Sequence, residues 1–132
     1  MNELTIEAIV ENTDAVLDFV RTRIGDCSPK TKNKMAIAVD EIFSNIARYA
    51  YHPEASEVTI RVTAGDTITI EFEDSGAAYD PLAKDDPDIS LSAEERDIGG
   101  LGIFMVKNIM DSVAYRRERN KNILTIKKVN TP

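Results

Sequence analysis

Two alternating runs constrain this chain more than anything else in it: Glu57-Val58-Thr59-Ile60-Arg61-Val62-Thr63 and Thr67-Ile68-Thr69-Ile70-Glu71-Phe72-Glu73. Successive side chains of an extended strand point to opposite faces, so each run puts β-branched and aromatic residues on one side and polar ones on the other. Ala64-Gly65-Asp66 between them supplies turn residues, and the pair reads as a hairpin. A sheet built from such strands has one covered face and one wet face. The rest of the chain must therefore supply amphipathic elements to cover it.

The strongest candidate is the helical run from Ser28 to Tyr51. Ser28 followed by Pro29 is a start signal, a hydroxyl for the free amides and then a residue with φ preset for a first turn. Met35, Val39, Ile42, Ile46 and Ala50 recur at helical spacing as one apolar stripe, and His52-Pro53 stops it. Earlier, Leu4–Val10 reads as an edge strand. Asn12-Thr13-Asp14 then caps a helix with Val16, Leu17, Val20 and Ile24 apolar, ending near Gly25. Late in the chain, Gly102 to Asp111 is helical through Ile103, Phe104, Val106, Ile109 and Met110. Strands Ser112–Glu118 and Asn122–Val129 close the chain around the turn Arg119-Asn120-Lys121. With no repeat and no linker, residues 1–132 form a single α+β domain, helices layered on a mostly antiparallel sheet.

A length of 132 residues suffices for a core without disulfide or metal, and the lone Cys27 excludes an intrachain bridge and suggests no zinc cluster. The net charge of −7 argues against a nucleic-acid partner, which needs clustered Lys and Arg, and leaves protein partners and Mg²⁺-neutralised anions. No apolar run reaches the length of a membrane span, and Met-Asn-Glu-Leu-Thr lacks a signal peptide's basic start, so a cytoplasmic location is expected.

Three clusters carry the chemistry. Glu41 and Asn45 lie one turn apart on a flank of the long stripe, able to reach into one cavity; alone, the pair would read as a solvated boundary. Asp74-Ser75-Gly76 ends the second alternating strand: a carboxylate for an exocyclic amine, then a glycine that lets a flat ring approach, or else an ordinary Asp-x-Gly turn. Gly99-Gly100-Leu101-Gly102 stands directly before a helix, where free amides and the positive dipole end suit a phosphate, or where glycine merely eases packing. Arg96 just upstream adds a charge for the same phosphates. Mg²⁺ takes oxygen ligands beside phosphates and water, so Asn45 is a reasonable metal contact, while Glu41 is placed to take a proton from an attacking hydroxyl. The irregular acidic stretch between the last two clusters reads as a lid over residues 81–98.

Together and in this order, the clusters resemble the Bergerat-type (GHKL) ATP-binding fold of gyrase-like ATPases and histidine kinases. Within it, Asp40-Glu41-Ile42-Phe43-Ser44-Asn45-Ile46-Ala47-Arg48-Tyr49-Ala50-Tyr51 and Ile98-Gly99-Gly100-Leu101-Gly102-Ile103-Phe104-Met105-Val106 are similar to boxes of the small anti-sigma-factor serine/threonine kinases. That resemblance implies a two-layer sandwich with a mostly antiparallel mixed sheet covered by helices on one face. It implies ATP and Mg²⁺ as cofactors, Glu41 as general base, Asn45 on the metal, and Asp74 and Gly76 at the adenine. Gly99, Gly100, Leu101 and Gly102 would line the phosphates, with Asn122 a polar residue near the base. Arg48 either reaches the nucleotide or faces solvent, and Tyr49 stands where many relatives carry His, so no role passes to it. The implied partners are a STAS-like anti-anti-sigma protein, phosphorylated on serine, and a sigma factor. An ATP-gated binding module without catalysis, a histidine-kinase-like catalytic domain and a plain interaction domain stay open, as does a homodimer through the Leu4–Val10 edge.

Overall fold

A computed structural model describes residues 2–50, 56–78, 80–82 and 98–130. The chain forms β1 (Glu3–Glu7), α1 (Thr13–Arg23), α2 (Pro29–Asn45), β2 (Glu57–Thr63), β3 (Thr67–Asp74), α3 (Ile98–Ile109), β4 (Ser112–Glu118) and β5 (Lys121–Val129). The strands make one sheet in the order β1-β2-β3-β5-β4, and every described pairing is antiparallel. The β2–β3 hairpin and the edge position of β1 match the expectation from alternation.

The sheet's two faces follow from register. Ile60 stands opposite Phe72, and Phe72 opposite Leu124, so one face carries a continuous apolar row. Val58, Ile60, Val62, Ile68, Ile70, Phe72 and Ile126 are buried there beneath the helices. The helices answer with Val16, Val20, Met35, Val39, Ile42, Phe43 and Val106, each at most 2% exposed. Deleting one such side chain costs about 2–5 kcal/mol, because packed neighbours cannot close the hole. The opposite face is laced with charge. Arg61 lies 3.0 Å from Glu3, 3.5 Å from Glu71 and 3.4 Å from Glu73, tying three strands together. Ile123 and Thr125 are buried on that face, where register sets them beside Glu71, Glu73 and Arg116, whose long side chains have apolar stems.

Local chemistry sets the element ends. The Ser28 hydroxyl accepts from the Thr31 amide at 3.1 Å, and Pro29 opens α2 as the sequence requires. Gly25, at φ +75°, follows the C-terminus of α1 in the left-handed conformation a terminating residue adopts. Arg119 and Asn120, at φ 53° and 62°, form the two-residue turn between β4 and β5 that the mirror-image hairpin geometry demands.

Three elements have bounds that differ by more than a residue from those the sequence suggests. The first strand stops at Glu7, because its carbonyl accepts from the Ile9 amide at 3.0 Å and the Asn12 carboxamide at 2.9 Å, which turns the chain. The long helix is α-helical only to Asn45; residues Ile46–Ala50 continue as a π-helical turn, so a fixed helical period breaks beyond the functional pair. The third helix begins at Ile98, not Gly102, so the glycines belong to its first turns. Burial of Ile103, Val106 and Met110 outweighs the poor helix propensity of Gly. No helix among the described residues is long and apolar enough to cross a membrane.

Candidate nucleotide site

An open cleft lies between the C-terminal half of α2, α3 and strands β3, β4 and β5. Its walls are apolar: Ile42 and Ile46 from the long helix, Ile103 from α3, Phe72 and Leu124 from the sheet, and Pro81 at the rim. Four polar side chains converge in it, Asn45, Asp74, Tyr115 and Asn122. Flat apolar walls with a few fixed polar groups are what a heteroaromatic ring needs.

Asp74 and Asn122 face each other directly across the β3–β5 ladder, each 5% exposed. Asp74 lies on the face that is otherwise core, because alternation carries Ile68, Ile70 and Phe72 straight into it. Its Oδ1 accepts two hydrogen bonds, from the Gly76 amide at 2.9 Å and from Asn122 Nδ2 at 2.9 Å. Burial pushes the Asp74 carboxyl above the usual carboxylate range, although these two bonds and the charge of Arg117 pull it back. An acid that holds its charge against such a cost is a strong acceptor for an N–H group.

Asn122 is held from the other side. Its Nδ2 also donates to the Ala77 carbonyl at 2.9 Å, while its Oδ1 accepts from the Tyr115 hydroxyl at 2.6 Å and from Arg117 at 3.1 Å. Arg117 further donates to the Gly76 carbonyl at 2.9 Å, closing the loop around Asp74. Tyr115 and Arg117 are neighbours of the site that sequence reasoning missed. The signal was available: the tight turn at Arg119-Asn120 puts Arg117 opposite Asn122, and Tyr115 two residues away shares its face.

Glu41 stands outside this cavity, one turn before Asn45, with its carboxylate against Gly102. A Cβ built on Gly102 would lie 3.1 Å from Glu41 Cδ and closer still to Oε2. Gly99 and Gly100, at the second and third positions of α3, have amides that find no acceptor inside a helix. Gly102 lies further along, where the helix itself takes the amide, so its missing side chain makes room for Glu41. Arg48 is exposed and its Nε reaches the Ser44 carbonyl at 3.4 Å, not the cavity. Asn45, Asp74 and Asn122 are thus brought together, with Gly76 bound to Asp74 and Glu41 flanking them. Arg96 and most of the 81–98 lid lie outside the described residues, as does the Leu101 side chain.

No group of three acidic, His or Cys side chains suited to a metal occurs among the described residues. One carboxamide oxygen at Asn45 fits a hard cation that brings its own phosphate and water ligands. The donor set therefore fits Mg²⁺ carried in on a triphosphate.

An ATP-binding fold of the histidine kinase type is what this architecture and cavity define, and the comparisons agree. The chain belongs to the family described as histidine kinase-like ATPase domain, whose profile matches residues 6–128. It is 28% identical to the serine/threonine-protein kinase BtrW of Bordetella bronchiseptica, over 98% of this chain and 93% of that protein. It is 26% identical to the serine-protein kinase RsbW of Listeria monocytogenes, over 73% of this chain, and spans 65% of that relative's length. Among solved structures, the histidine kinase domain of Erythrobacter litoralis EL346 superposes with a TM-score of 0.56 at 18% identity, covering 76% of this chain and 45% of that one. The Acinetobacter baumannii histidine kinase AdeS superposes at 0.52 with 16% identity, over 100% of this chain and 69% of that one. At such identities these two structures speak for the fold alone.

Proposed function

We propose that this chain is an ATP- and Mg²⁺-dependent serine/threonine protein kinase that acts as an anti-sigma factor, phosphorylating a small STAS-like anti-anti-sigma partner. The observation that carries the reading is the convergence of Asn45, Asp74 and Asn122 on one cavity, with Glu41 beside the N-terminal turns of α3. The names of relatives that match nearly all or most of the chain support the kinase class.

In this reading Asp74 accepts the adenine amino group, and Gly76 lets the ring lie against the backbone. Asn45 holds the metal, and the amides of Gly99 and Gly100 receive phosphate oxygens at the dipole end of α3. Bound Mg-ATP supplies an electrophilic γ-phosphorus with its charge partly neutralised. Glu41 takes the proton from the incoming serine hydroxyl; the serine oxygen–phosphorus bond forms as the bond to the bridging oxygen breaks and ADP leaves. Transfer of phosphate to the partner would weaken its complex with this chain, so that phosphorylation controls, by partner exchange, whether the sigma factor is held or released.

Incubation with γ-labelled ATP and the candidate anti-anti-sigma protein tests the assignment. With the wild-type chain present, label should pass from ATP to a serine of the partner. Glu41→Gln should bind ATP within a few-fold of wild type yet transfer about 10²–10⁴ times more slowly. Transfer by Glu41→Gln at the wild-type rate would overturn the base assignment. ATP binding with no label on any partner would favour a nucleotide-gated binding module.

A further inference from the structure

The Asn122 carboxamide has only one orientation available to it. Arg117 can only donate, so the atom 3.1 Å from it must be the carbonyl oxygen. The Ala77 carbonyl can only accept, so the atom 2.9 Å from it must be the amino group. Both ends agree, and the Tyr115 hydroxyl completes the lock on the oxygen at 2.6 Å. The amino group of Asn122 is therefore obliged to face Asp74 Oδ1, which also receives the Gly76 amide. Asp74 Oδ2 accepts from no described residue, and Asp74 lines the cavity.

We propose that Tyr115 and Arg117 are positioning residues that lock Asn122 and, through it, Asp74, so that the cavity takes a purine with an exocyclic 6-amino group and refuses its 6-oxo counterpart. The inference rests on the nucleotide reading above and deepens it. With Oδ1 saturated by two donors, the remaining oxygen offers acceptance only. A 6-amino group meets that oxygen as a donor; a 6-oxo group meets it as a second acceptor. Release of the lock changes the rule. An Asn122 free to turn would present its carbonyl to Asp74 Oδ1, and two facing acceptors favour a proton between them. A protonated Asp74 donates, and a 6-oxo purine then finds a partner. Removal of the Arg117 guanidinium works in the same direction, since it takes away the nearby positive charge that favours the ionised carboxylate.

The lock acts through other residues, so selectivity is its signature and overall affinity is not. Equilibrium binding of Mg-ATP and Mg-ITP is measured for the full chain, for Tyr115→Phe, for Arg117→Met and for the double variant, with thermal melts confirming each is folded. Tyr115→Phe keeps the ring against the cavity and removes one O–H; Arg117 is exposed and its replacement leaves no buried hole. The double variant should narrow the ATP-over-ITP preference about tenfold or more, a fraction of what a site built around one hydrogen bond achieves. Arg117→Lys, which keeps a charge and donors, should restore part of it. Equal losses for both nucleotides, or an unchanged ratio, would overturn the proposal while leaving the nucleotide site intact. A wild-type chain that binds neither nucleotide would remove the parent reading and this one together.

Discussion

The Glu41 carboxylate occupies the space where a side chain on Gly102 would begin. Glu41 Cδ lies 3.1 Å from that Cβ position, and Oε2 is nearer. The two residues come from different helices, so this glycine connects the proposed base to the helix whose first amides are proposed to receive the phosphates. Gly102→Ala should push the carboxylate aside at little structural cost, because the displaced atoms are the end of a flexible side chain. Alanine also favours an α-helix over glycine by about 0.5–1 kcal/mol. The expected result is a melting temperature equal to or above wild type, with phosphoryl transfer reduced about 10²-fold. An active Gly102→Ala variant would show that the position of Glu41 does not matter.

Asp74→Asn should separate folding from binding. The new side chain keeps an oxygen to accept from Gly76 and Asn122, and presents an amino group to the cavity where a carboxylate oxygen stood. ATP affinity should fall and the preference should move toward ITP, read by competition titration. Stability moves the other way. Burial raises the folded-state value of Asp74 above 3.8, so its favourable contribution is complete below that pH and is lost as pH rises through the folded value. The variant lacks that titration. It should therefore melt higher than wild type at neutral pH, with the gap shrinking as the pH falls toward the ordinary carboxylate range.

The charged face of the sheet should behave in the opposite sense. Burial works to raise Glu73, but hydrogen bonding and charge from Arg61, with help from Lys121, hold it below its ordinary 4.5. Its contribution is present above that value and is lost as pH falls through the lowered one. Arg61 is 39% exposed, so solvent screens these pairs. Arg61→Ala should cost no more than about 1 kcal/mol in denaturant melts, less at high salt, and leave ATP binding unchanged.

Ser28→Ala removes the cap of α2. The amide of Thr31 loses its acceptor at 3.1 Å, and the buried Thr31 Oγ1 loses the hydrogen bond that the Ser28 hydroxyl donates to it at 3.0 Å. Chemical denaturation should report a loss of about 0.5–2 kcal/mol. Replacement by Asp should recover most of it.

Alternation over Glu57–Thr63 and Thr67–Glu73 was enough to specify the hairpin and the face that helices must cover, since a one-residue slip would turn Ile60, Ile70 and Phe72 to the other side. Ser28-Pro29 announced the start of α2 for a local reason that tertiary packing does not alter. The end of that helix was not legible, because a π turn changes the period without any proline or glycine to mark it. The glycines before Ile103 masked the true start of α3, whose stability comes from contacts made far away in sequence. Asp74 and Asn45 were visible as chemistry at element ends. Tyr115 and Arg117 were not, because their role exists only once the β4–β5 register sets them against Asn122 and Gly76. Read singly, one is an ordinary strand aromatic and the other an exposed charge.

Mg-ATP titrated into isotopically labelled protein, followed by two-dimensional amide NMR, bears most directly on the central claim that helix α2, the end of β3 and the start of α3 enclose one nucleotide. The side-chain amides of Asn45 and Asn122 and the backbone amides of Gly76, Gly99 and Gly100 should move together along one saturable curve, while the amides of Arg61 and Glu3 on the far face stay still. No shift at Asn45 and Asn122 under saturating Mg-ATP, or shifts confined to the charged face, would contradict it.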